Sequence, residues 1–115
     1  MRERRIKSRY IQYQILYEVT DESHPKTRQH TQHFRKVYKF PNGYGASVIQ
    51  GLYTHGGPEG LWEVGVLKFN RRGESELDYN TPVAGDVIGH LTWRGVLKVL
   101  GEIKELKKKR ESKKK

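Results

Sequence analysis

Five histidines, one serine among small residues and three acids are the side chains from which this sequence could build a reactive site. His24, His30 and His33 fall in one polar stretch, while His55 and His90 stand apart. Imidazoles beside a carboxylate can hold zinc, but neither an H-E-x-x-H helix nor any cysteine accompanies them. Ser47 lies in Gly45-Ala46-Ser47, not in the G-x-S-x-G turn that presents a hydrolase serine. Glu63, Asp78 and Asp86 could supply an acid and a base, yet no nucleophile, base and orienting group come together in one motif. The chain is therefore expected to be non-enzymatic, to use no cofactor or small-molecule substrate, and to hold no metal.

The glycines raise a second chemistry, the cradling of phosphate. FPNGYGASVIQGLYTHGGPEGLWEVGVLKF, residues 40 to 69, holds seven of the twelve glycines in the chain. A phosphate loop needs its glycines between a strand and a helix, so that the helix N-terminus meets the anion. Here each glycine cluster leads into another run of strand character, and no Gly-Lys-Ser or Gly-Lys-Thr is present. These glycines are expected to turn the corners of a small sheet.

Charge gives a clearer signal. The 115 residues carry a formal net charge of +10. Arg2, Arg4, Arg5, Lys7 and Arg9 stand against Glu3 alone at one end. Lys104, Lys107, Lys108, Lys109, Arg110, Lys113, Lys114 and Lys115 stand against Glu105 and Glu111 at the other. Residues 10 to 103 hold ten basic and ten acidic side chains, so the two ends account for the whole excess. This predicts a basic N-terminal arm (1–9), a single neutral domain (10–106) and a basic C-terminal tail (107–115). Such arms attract polyanions: nucleic acid, acidic protein faces or anionic membrane. The candidate nucleic-acid contacts are Arg2, Arg4, Arg5, Lys7, Arg9, Lys107, Lys108, Lys109 and Arg110. A hydrophobic content of 34% and no apolar run of membrane-spanning length exclude a spanning helix. Absence of cysteine fits a reducing cytoplasm, and the basic start is not followed by the apolar segment of a secretory signal.

The elements that must position these groups follow from hydrophobic period. Residues 10 to 19 alternate, with Ile11, Tyr13, Ile15, Tyr17 and Val19 on one face and Leu16 as the exception, which predicts a half-buried strand. Residues 20 to 32 are polar and without period, which predicts a long exposed loop. Residues 33 to 40 form a second strand with Phe34, Tyr38 and Phe40 on one face. Pro41-Asn42-Gly43 has the chemistry of a tight hairpin turn. Strands over 46–53 and 61–69 follow, the latter apolar on both faces and so central, then a short fifth over 76–80. Beyond Pro82 the period changes. Thr92 is a good N-cap, Leu91 and Val96 suit a hydrophobic staple, and Val96, Val99, Leu100, Ile103 and Leu106 make one helical stripe. The prediction is an α+β fold: an antiparallel β-meander of about five strands with one C-terminal helix packed on a face.

Twelve aromatic residues accompany this small sheet. Most are expected in the core, but aromatics on an open face beside basic arms suit stacking on single-stranded nucleic acid. Tyr44, Tyr53, Tyr79 and Trp62 are candidates for such a face. With His55 and Trp93, the residues Tyr44, Tyr53 and Trp62 form the candidate recognition surface.

The stretch from residue 40 to 69, followed by DYNTPVAGDVIGHLTWRGVLKVLGEI, resembles a family of small uncharacterised proteins of bacteriophage and prophage genomes. Those proteins share an F-x-N-G-Y-G-x-S-V-I segment, a G-L-W/F-E-h-x-V-L strand and a D-V-I-G-x-L-T segment before a final helix. The similarity covers residues 38 to 106 and leaves out both arms. Trp93-Arg94-Gly95 replace the acids that usually open the family's helix. The resemblance implies a phage-type accessory protein in the cytoplasm of an infected bacterium. The first expectation is a non-enzymatic binding protein whose arms contact nucleic acid or a host nucleic-acid-processing protein. The alternatives are a protein–protein inhibitor of a host defence or replication enzyme, and, more weakly, a virion or assembly component.

Overall fold

The computed structural model describes residues 10–28 and 30–107. Six strands and one long helix follow in chain order: β1 (Gln14–Ser23), β2 (His30–Lys39), β3 (Tyr44–Gln50), β4 (Trp62–Phe69), β5 (Ser75–Leu77), β6 (Ile88–Leu91) and α1 (Trp93–Lys104). Short 3-10 turns occupy Ile11–Tyr13 and Gly57–Glu59. All pairings are antiparallel, in the order β1-β2-β3-β4-β5, with β6 paired to β4. The expected α+β meander with one C-terminal helix is therefore present, with β6 as an added short strand.

The core lies between α1 and one face of the sheet. The helical stripe buries Val96, Leu97, Val99, Leu100 and Ile103 against Tyr38, Phe40, Ala46, Val48, Val64 and Val66. Full burial of an aliphatic side chain contributes about 1.5–3 kcal/mol, so this stripe holds a helix whose own propensity is poor. Gly95 and Gly101 each cost about 1 kcal/mol relative to alanine within a helix. Both positions are sites of close approach. A Cβ at Gly95 would stand 3.2 Å from Leu91 Cδ2, and one at Gly101 would stand 3.0 Å from Tyr10 Oη. Thr92 caps the helix as expected, its Oγ1 accepting from Gly95 N at 3.1 Å. On the opposite face a smaller cluster of Val37, Leu67 and Phe69 is joined by Leu16.

Three expectations are corrected. The loop expected over 20–32 is mostly strand, because β1 and β2 pair as far as Ser23 with His30. This end of the hairpin is exposed on both sides, so burial imposes no alternation on it. Its turn is held instead by His24 Nδ1, which accepts from Lys26 N and Thr27 N at 3.1 and 3.2 Å. The first strand begins at Gln14, after a 3-10 turn closed by Tyr13 N donating to Tyr10 O. Its apolar face is not half-buried: Ile15, Tyr17 and Val19 are 58%, 53% and 42% exposed, and Leu16, the apparent exception, is the residue that packs. Finally, β6 carries Ile88 and Leu91 into the sheet where only a change of period was evident.

The turn after β2 links sheet to helix. Gly43 alone takes the left-handed conformation, at φ 90°, leaving the Asn42 side chain to reach the helix C-terminus. Its Nδ2 donates to Ile103 O at 2.9 Å and lies 3.1 Å from both Lys104 O and Leu106 O. Its Oδ1 accepts from Tyr44 N at 3.0 Å. The final carbonyls of a helix have no partner within it, so one amide satisfies several of them.

Replacing Asn42 by alanine should lower stability by about 1–3 kcal/mol, because those carbonyls lose their donor; urea unfolding at neutral pH measures this. Burial pushes the Tyr38 phenol up to about 12 from its ordinary 10.0. Below pH 10 both folded and unfolded states keep this proton, so the stabilisation is complete there. Above pH 10 the unfolded state loses the proton first. Stability should therefore fall as pH rises from 10 to 12, by about 2–3 kcal/mol from this group. Unfolding curves across that window should show the fall, and Tyr38→Phe should remove this component.

Candidate nucleic-acid interface

The described chain begins and ends at one pole of the molecule. Tyr10 and Tyr13 meet Phe40 edge-on, with ring centroids 6.4 and 5.2 Å apart. The Tyr10 hydroxyl reaches Gly101 of α1, and Lys104 Nζ lies 5.7 Å over the Tyr13 ring. The segment that follows the N-terminal arm is thus clamped against the end of the helix from which the basic tail departs. Arg2, Arg4, Arg5, Lys7, Arg9, Lys108, Lys109 and Arg110 lie outside the described residues; Lys107, the last described, is exposed. Cations beside a helix C-terminus are also favoured by its dipole.

A second cluster lies where the N-terminus of α1 crosses the sheet. Trp62 and Trp93 meet edge-on at 5.3 Å, and Phe34 lies 6.1 Å from Trp62. Lys36 Nζ stands 4.4 Å over Trp93, 5.2 Å over Tyr17 and 5.5 Å over Trp62. The register explains the gathering. Tyr17 pairs with Lys36, and Phe34 neighbours Lys36 on the same face two residues away. The Trp93 indole Nε1 is buried without a hydrogen-bond partner.

The five residues of the candidate recognition surface therefore occupy separate places. Trp62 and Trp93 come together. Tyr44 is half-buried near the pole, where Asn42 holds its backbone. Tyr53 is 62% exposed at the far end and stacks on His24 at 5.9 Å. His55 is exposed on the 51–61 loop, its N–H donating to Glu63 Oε1 at 2.8 Å and its carbonyl accepting from His90 N at 2.9 Å. Tyr79 is exposed beyond β5. Lys36, Tyr17 and Phe34 were not singled out by sequence, although a lysine on an aromatic strand face was a usable signal.

The three acids weighed for reactivity accept from nearby backbone N–H groups, and His33 Nδ1 is buried without a hydrogen-bond partner. His30 and His33 are three apart on one strand, which sends them to opposite faces. His33 Nδ1 lies 3.6 Å from Glu22, whose other oxygen accepts from Leu52 N at 2.8 Å. Asp78 accepts from Asn80 N, Asp86 from Val87 N and Glu63 from His55 N. Ser47 sits in mid-sheet between Val37 and Gly65. Among the described residues no group of three or more His, Cys, Asp or Glu could hold a metal. No described helix is long and apolar enough to cross a membrane. A groove of about 450 Å³ beside the β4–β5 hairpin is lined by Lys68, Phe69, Asn70, Glu74, Ser75 and Glu76. Its polar groups engage one another, through Asn70 with Glu74 at 2.8 Å and Lys68 with Glu76 at 3.5 Å.

No family model, no curated protein and no solved structure matches the chain.

Because both tryptophans of the chain lie in the Lys36 cluster, indole fluorescence reports on it alone. Lys36→Met keeps an apolar stem and removes the ammonium. It should shift the emission and lower stability by about 0.5–2 kcal/mol, the range for a cation over aromatic rings. An unchanged emission spectrum would show that the ammonium does not occupy this position in solution.

Proposed function

We propose that this protein is a non-enzymatic nucleic-acid-binding protein, which the family resemblance would set inside an infected bacterium. One observation carries the reading: the chain enters and leaves the neutral domain at a single pole, so both of its basic segments start there. The tertiary contact of Tyr10 and Tyr13 with the end of α1 brings the roots of the two arms together. Two arms rooted on one side can engage the same polyanion, and their cations act jointly. Attraction then comes from neutralised phosphates and released counterions, which is independent of sequence and steeply salt-dependent. The Asn42 clamp and the helix C-terminus form the rigid base of this pole.

The test is binding of the full chain to labelled single- and double-stranded DNA and RNA across a salt series. A variant with Lys107, Lys108, Lys109 and Arg110 changed to glutamine is run beside it. On duplex DNA each neutralised phosphate contributes roughly −0.9 to the log–log slope, so the variant should flatten the slope by about 3–4. A further variant with Arg2, Arg4 and Arg5 changed to glutamine should flatten it again. Weak binding by the parent chain, or a slope that neither variant alters, would refute nucleic-acid contact through the arms.

A further inference from the structure

We propose that the outer edge of β1 is a dimerisation strand, and that its occupant is β1 of a second copy of this chain, antiparallel and centred on Tyr17. Among the described residues seven large hydrophobics are exposed, and Ile11, Ile15, Tyr17 and Val19 are four of them. The last three lie along a ten-residue strand at the end of the sheet order, with β2 on one side only; Tyr17 and Val19 share a face, and Ile15 sits at the bulge near the start of the strand. Such an edge presents unpaired N–H and C=O groups, and an exposed apolar edge is a site for adding another strand.

The sequence of β1 selects the register. Centring on Tyr17 places Tyr17 opposite Tyr17 on the face that carries α1, and brings Val19 opposite Ile15, the residue at the bulge between Gln14 and Leu16. On the other face Leu16 meets Glu18. Every exposed apolar residue of the strand then has an apolar partner, and no acid meets an acid. Centring on Glu18 would oppose two Glu18 side chains. Centring on Val19 would oppose Tyr17 to Asp21. Directly opposed side chains are the unit of sheet stabilisation, and like charges in that position are destabilising. The chosen register also suits the charge of the whole protein. β1 runs away from the basic pole, so antiparallel pairing sends the two poles to opposite ends. Gln14 of one copy and Gln14 of the other are then roughly 20 Å apart along the strand direction, at about 3.3 Å per residue. That exceeds the Debye length of about 8 Å at physiological salt, so the net charge of each copy does not oppose the pairing strongly.

The chain has no cysteine, which makes the register directly testable. Opposed Cα atoms in an antiparallel pair lie about 4.5–5.5 Å apart, within the roughly 4.4–6.8 Å that a disulfide spans. Tyr17→Cys should therefore form an intermolecular disulfide under mild oxidation. Val19→Cys and Thr20→Cys should not, since in this register each lies roughly 13 and 20 Å from its own counterpart. Sedimentation equilibrium of the parent chain should give a mass rising to twice that of the monomer with concentration. Tyr17→Lys should hold it at the monomer mass with an unchanged far-UV circular dichroism spectrum. A parent chain that remains monomeric across the series, or Val19→Cys cross-linking as well as Tyr17→Cys, would overturn the proposal. A parent chain that is dimeric but insensitive to Tyr17→Lys would overturn it too. None of these readouts depends on nucleic acid, so the outcome is separate from that of the salt series.

Discussion

The fold depends on one helix covering a sheet wider than itself. α1 has twelve residues, which makes it about 18 Å long and, with side chains, about 10–12 Å across. Strands lie about 4.8 Å apart, so such a helix shields little more than two of them. It settles over β3 and β4, the strands that supply Ala46, Val48, Val64 and Val66 to the core. Gly95 and Gly101 permit the close seating of Leu91 and Tyr10 at its two ends. What the helix does not reach must be covered by large side chains or left open. Near its N-terminus Trp62, Trp93 and Phe34 do the covering, with Lys36 above them. Over β1 the side chains of Ile15, Tyr17 and Val19 stay largely exposed, with Lys36 Nζ 5.2 Å over the Tyr17 ring.

The same placement organises charge. The helix ends where the described chain begins, because Tyr10 fits against Gly101 and Asn42 holds the terminal carbonyls. A sequence with basic residues at its two extremes thereby becomes a domain with both basic segments rooted at one pole. The opposite end, with the β1–β2 turn, Tyr53 stacked on His24 and the glycine-rich 51–61 loop, carries no comparable concentration of charge. The polarity is a property of the tertiary structure acting on a simple sequence distribution.

Legibility followed burial. The helix, its Thr92 cap and the inward set of Tyr38 and Phe40 were readable because each has one buried face, and burial enforces period; the central character of β4 was readable because both of its faces are apolar and buried. The outer half of the β1–β2 hairpin was not, since its side chains face solvent on both sides and the ladder rests on backbone pairing. Alternation in β1 was visible, but its meaning was misjudged: it is the same pattern whether the apolar face meets a core of its own chain or awaits something outside. Of the candidate site, the charged segments were legible as composition. The Lys36 cluster was not, because Lys36, Tyr17, Trp62 and Trp93 come from four elements and meet only through register and helix position.

By itself, the sequence determined the fold class, the glycine-cornered turns, the identity of the helical stripe and the segregation of net charge to the two ends. These are local properties, set by side-chain period, backbone permissiveness and composition. Only the tertiary structure decided that the two ends of the described chain, residues 10 and 107, share a pole, that the aromatics divide among a core, a lysine-capped cluster and isolated surface positions, and that the apolar side chains of β1 stand exposed. Each of those depends on which strands a short helix can shield, a packing limit no local stretch of residues encodes.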